Sequence, residues 1–145
     1  QQELGPAPEG KRGFYYDDVP PALQDALWQR FAVALEPLRQ AGKLGLVLFQ
    51  FPSWIRPSTK ALDHILEVRD RMAGFRLAIE FRHVSWLDDR HRGETLRFLR
   101  DNGLVFVCVD EPQGFASSLP PLAEATALGS RPGVRIVIPL NMPES

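Results

Sequence analysis

From Pro20 to Ala41, apolar residues recur at Leu23, Leu27, Phe31, Ala34, Leu35 and Leu38, a spacing that lines one side of a helix. Pro20-Pro21 suits the start of that helix and Gly42 its stop, and Pro37 is expected to kink the last turns. The pattern then changes. KLGLVLFQFP, residues 43–52, is a compact apolar run closed by a proline and predicts a strand buried on both faces. Residues 1–19 show no usable period and read as a loop or tail.

The same unit repeats. Ser58 is placed to cap a second helix striped by Leu62, Ile65, Leu66 and Met72 and ended by Gly74. FRLAIEFR follows as a strand. Ser85 with Asp88 is expected to cap a short turn, Leu96 and Leu99 mark a third helix, and Asn102-Gly103 stops it. LVFVCVDEP is the third strand. Leu46, Leu77 and Val105 lie 31 and 28 residues apart, the length of a strand–helix–strand crossover, so the strands should be parallel neighbours. A fourth candidate, Val134–Ile138, comes at the same period, after a weak helical stretch between Ser118 and Ala127. Residues 20–145 thus form a series of about three to four parallel β/α units, which fits either an open doubly wound sheet or part of a barrel.

Composition narrows the class. With 145 residues, 44% of them hydrophobic and 24% charged, the chain has the makeup of one globular domain. Seventeen basic against eighteen acidic side chains exclude a polycation that grips nucleic acid by net charge, although a local patch is still open. The eight arginines between Arg69 and Arg100 face five acids and read as a solvated face. Cys108, alone of its kind, rules out a disulfide framework or cysteine-rich zinc site and reads as a small core residue. No apolar run is long enough to span a bilayer, and the N-terminal residues do not have the pattern of a signal peptide, so a cytoplasmic setting without membrane contact is expected. The first residue is Gln, which points to a piece of a longer protein.

Candidate chemistry follows from strand alternation. Leu46, Leu48 and Gln50 share one face, as do Ala78, Glu80 and Arg82, and, on the third strand, Phe106, Cys108 and Asp110. Each strand therefore ends in a polar or ionisable residue, at the edge where β/α folds bind ligands. Glu80 and Asp110 are the candidate catalytic carboxylates, suited to divide acid and base roles or to hold a divalent ion. Arg82 offers a planar fork to a phosphate or carboxylate, and Gln50 can both donate and accept. His83 opens the following loop, and Trp54 and Trp86 stand in the loops after two strands, placed either to roof a pocket or to seal the rim. The competing reading makes Glu80, Arg82 and Asp110 a structural ion-pair network. His64 and His91 are read as sitting in polar helical surroundings and no metal site is assigned. A Gly-rich phosphate loop, Walker motif and nucleophile elbow are all missing from the sequence, and no cofactor is implied.

LEPLRQAGKLGLVLFQFPSWI, LAIEFRHVSW and VFVCVDEP, in that order and spacing, resemble the YecE-like family, known as domain of unknown function 72. The resemblance rests on residues 31–112 and is most specific at Glu80–Trp86. It matches Gln50, Pro52, Glu80, Arg82, His83, Ser85, Trp86, Asp110 and Pro112, with Ser53 and Val84 standing where the family carries proline. It implies an α/β fold that is part of a TIM-type (β/α) barrel, whose whole domain runs to about 250 residues. It also implies that the family's early strands are missing and that residues after about 125 depart from its pattern. Barrels of this kind look like endonuclease IV and sugar isomerases, so the implied ligands are a polar or phosphorylated small molecule or a nucleic acid. The readings carried forward are an enzyme using Glu80 and Asp110, a non-catalytic nucleic-acid-binding barrel using Arg82, Trp54 and Trp86, and an inactive truncated copy. Open sheet edges add an expectation of self-association.

Overall fold

The computed structural model describes residues 16–107 and 137–139. A 3-10 turn at Tyr16–Asp18 leads into α1 (Pro21–Gln40), β1 (Val47–Phe51), α2 (Thr59–Arg71), β2 (Leu77–Phe81), a second 3-10 turn (Val84–Trp86), α3 (Arg92–Asp101), β3 (Val105–Phe106) and β4 (Val137–Pro139). The helix signals act where the sequence puts them. Pro21 occupies the first turn of α1, where its missing N–H is not needed. Ser58 Oγ accepts from the Ala61 N–H at 3.1 Å and caps α2. Gly42, Gly74 and Gly103 follow the three helices with φ of 67°, 90° and 67°. α1 runs on through Pro37, and the Ala41 N–H still reaches the Pro37 carbonyl at 3.1 Å. Of the stretch read as loop or tail, Tyr16–Val19 folds back onto α2, with Val19 buried.

The strands form one parallel sheet in the order β3-β2-β1-β4. Val47 pairs with Leu77 and the register runs on to Phe51 opposite Phe81. Paired residues in a parallel sheet point to the same side, so Val47, Phe49 and Phe51 share a face with Leu77, Ile79 and Phe81. That face joins Trp28 and Leu35 of α1, Ala61, Ile65 and Val68 of α2, and Leu99 of α3 in a single core. Phe49, Phe51 and Ile79 are wholly buried there, and each such side chain contributes about 1.5–3 kcal/mol. All three described helices therefore cover one side of the sheet. A doubly wound sheet carries helices on both sides, whereas a barrel wall carries them outside only, and this arrangement is the barrel wall. The other face presents Leu48, Ala78 and Glu80, which are also buried within the chain.

Two expectations are corrected. A fourth strand that continued the winding would lie beside β3, but β4 pairs with β1, Leu48 opposite Val137. The physical reason is that β1 offers five residues of strand on the edge that β2 leaves open. The alternation assigned to the third strand is also out of step. Phe106 pairs with Ile79 and lies in the helix-side core, so it is Val105, opposite Ala78, that shares the face of Glu80. Cys108, Asp110, Pro112 and the helical stretch at Ser118–Ala127 lie outside the described residues.

Candidate functional site at the strand ends

Gln50 and Glu80 occupy the same row of neighbouring strands, one residue before each strand ends. Parallel register therefore brings them together without help from any loop. The Gln50 Nε2 amide donates to Glu80 Oε1 at 2.9 Å. Arg82, two residues on and on the same face, donates from Nη1 to the same oxygen at 3.3 Å. Glu80 is only 2% exposed, while the Arg82 side chain is 30% exposed. A buried carboxylate is tolerated when donors offset its lost hydration, and here an amide and a guanidinium converge on one oxygen. Three of the residues predicted from alternation are thus brought into one constellation. Asp110, the second predicted carboxylate, lies outside the described residues.

The loops above this row are tied to each other. Trp86 is 1% exposed, stacks on Phe81 with centroids 4.1 Å apart and planes 12° apart, and donates its indole N–H to the Ile55 carbonyl at 2.8 Å. Its ring is given over to the core and joins the β2–α3 loop to the β1–α2 loop, so of the two roles open to it the seal is the one that the geometry describes. Trp54, in the β1–α2 loop, is 39% exposed. His83 turns back on its own loop: its Nδ1 accepts from the Ser85 N–H at 3.1 Å and lies 2.7 Å from Ser85 Oγ. Nδ1 therefore acts as the acceptor, and the neutral ring carries its proton on Nε2. Burial lowers the His83 pKa, and the nearby Arg56 lowers it further. The turn expected to be capped by Ser85 and Asp88 is capped by His83, whereas Asp88 Oδ1 holds the His91 N–H at 2.8 Å.

A cavity of about 400 Å³ lies at the opposite, N-terminal end of the strands. It is lined by Arg69, Met72, Phe75, Leu77, Asn102 and Leu104 and does not include the Gln50–Glu80–Arg82 row. Arg69 is already engaged there by Asn102 and Asp70. Among the described residues, no three His, Cys, Asp or Glu side chains converge as a metal-binding group. No described helix is long and apolar enough to cross a membrane.

The sequence reading missed one polar cluster. His64, expected in polar surroundings, is 7% exposed and packs edge-on against Tyr16 and Phe51, with centroids 5.3 and 6.2 Å away. A signal was present: Ala61, His64, Ile65 and Val68 fall at helical spacing, which places the imidazole on the apolar side of α2.

The profile of the family described as "Protein of unknown function DUF72" matches residues 14–140. The chain belongs to that family. The DUF72 match extends beyond both ends of the 31–112 stretch that carries the quoted motifs. Among curated proteins, the UPF0759 protein YunF of Bacillus subtilis (strain 168) is 30% identical over 118 residues, covering 81% of this chain and 42% of YunF. Two crystal structures of a DUF72 family protein, EF0366 of Enterococcus faecalis V583, superpose with a TM-score of 0.65. They are 25% and 26% identical to this chain, covering 68% and 70% of it and 36% and 40% of EF0366. The chain thus spans about two fifths of the length of these DUF72 relatives, in keeping with a sheet that is one stretch of a larger barrel wall.

Proposed function

We propose that the Gln50–Glu80–Arg82 row binds a polar or phosphorylated small molecule and that Glu80 moves a proton on it. The observation that carries this reading is the buried Glu80 carboxylate, held by Gln50 and Arg82 at the C-terminal end of the central parallel strands. In this reading Arg82 is the anion anchor, its outer face reaching solvent, and Gln50 orients Glu80 and the ligand. His83 and Trp54 stand at the mouth of the site, and Trp86 holds the two loops in place.

The test is thermal melting of the chain with and without inorganic phosphate or ribose 5-phosphate, since a ligand that binds only the folded state raises its stability. Saturable stabilisation that is lost in both Glu80→Gln and Arg82→Gln is expected; a melting temperature that neither compound moves overturns the reading. A second reading, nucleic-acid binding, rests on Trp54, 39% exposed in the β1–α2 loop. It requires oligonucleotide binding that weakens steeply with salt and is lost in Trp54→Ala.

A further inference from the structure

The cluster around His64 belongs to no part of the strand-end site. Glu67 stands at its centre. The Tyr16 hydroxyl donates to Glu67 Oε1 at 2.7 Å and accepts from the Trp28 indole N–H at 2.7 Å. Arg71 Nε lies 3.4 Å from the same Glu67 oxygen and pairs on its other side with Asp25 of α1. His64 Nδ1 faces Glu67 Oε2 at 3.4 Å, and Lys60 holds Asp17 at 2.8 Å. Gln24 of α1 donates to the Tyr16 and Val19 carbonyls, at 3.1 and 2.9 Å. Together these contacts fasten the Tyr16–Val19 segment across α2 and α1.

One atom stands apart. His64 Nε2 is buried without a hydrogen-bond partner among the described residues. Neutral imidazole tolerates this with its proton on Nδ1, toward Glu67, because Nε2 is then only an unused acceptor. Protonation changes the balance, since it places a charged N–H among the Tyr16 and Phe51 rings. The groups that face the imidazole are Tyr16 and Asp17 from the 3-10 turn and Lys60, Glu67 and Arg71 from α2; α1 adds Asp25 through Arg71, and β1 adds only the uncharged Phe51. Glu67 and Asp17 favour the imidazolium, and Lys60 opposes it. Burial is the largest influence and holds the His64 pKa below its ordinary value.

We propose that His64 is an acid-released latch: neutral, it lets the Tyr16–Val19 segment close over α2, and when protonated it leaves its niche for water and frees Tyr16 from Glu67. A histidine that is harder to protonate in the docked state binds protons more readily once undocked. Docking is therefore at full strength above pH 6.5, the ordinary imidazole value, and is lost as the pH falls below it.

The test is amide hydrogen exchange of residues 16–28 in the whole chain, corrected for the intrinsic pH dependence of exchange. Between pH 7.5 and 5.5 the opening of this segment should rise by up to about tenfold, the limit reached one pH unit below the ordinary imidazole value when the docked ring stays neutral. His64→Phe, which fills the niche without a titratable group, should abolish the rise. A wild-type change of less than about twofold, or an equal rise in His64→Phe, overturns the proposal. If that variant does not fold, the wild-type His64 ring is titrated by NMR: a midpoint below pH 6.5 supports the latch, and one at or above 6.5 overturns it.

Discussion

Glu80 keeps its carboxylate out of water because Gln50 and Arg82 share one of its oxygens, and the two ends of that arrangement are unequal. Arg82 is partly solvated, so after Glu80→Gln it can recover hydration, whereas Arg82→Ala leaves a buried carboxylate without its guanidinium. Urea denaturation should therefore show Arg82→Ala costing about 1–3 kcal/mol and Glu80→Gln less; the reverse order would mean that the pair is held for its shape rather than its charge. Trp86→Phe keeps the stack on Phe81 but removes the donor to Ile55, so a loss of about 0.5–1.5 kcal/mol in the same measurement is expected. The facing of Gln50 and Glu80 was legible in the sequence because alternation along a strand is a property of the backbone. The inward turn of the His83 ring was not, because a side chain next to a turn chooses its partner from atoms that only the folded loop brings near.

The helices were largely predictable because their ends are local. Ser58 caps the residue three places on, so Ser58→Ala should lower stability by about 1 kcal/mol in a thermal or urea melt without moving any distant group. At Gly103 the backbone must turn left-handed, φ 67°, for the Leu104 N–H to reach the Leu99 carbonyl at 2.8 Å. Gly103→Ala should cost about 1 kcal/mol although a methyl group would meet nothing there. Had the loss been steric, relief would come from trimming a neighbour; here only restoring glycine should reverse it. His64 marks where helical periodicity was informative and went unused: the spacing puts it on the packed side of α2, but its aromatic niche is assembled from Tyr16 and Phe51, 48 positions before it and 13 before it.

At the scale of the molecule, two histidines, His64 and His83, have pKa values lowered by burial. Both bind protons more readily when unfolded, so stability should be greater at pH 7.5 than at pH 5.5, with the loss beginning below pH 6.5; melts at the two pH values check this, and a melting temperature higher at pH 5.5 would contradict it. The β1 edge is covered by β4, pairing over Leu48–Gln50. Ending the chain before Val137 should uncover that edge and raise self-association in sedimentation velocity.

The sequence by itself determined the β/α rhythm, the helix stops and the facing of Gln50 and Glu80 at the strand ends, because these depend on periods and caps that span a few residues. Tertiary structure alone decided which edge β4 joins, which side of the sheet Phe106 faces, and that the three described helices lie on one side. Each of those depends on register between segments far apart in the chain, and a shift of one residue there reverses the facing while leaving every local pattern intact.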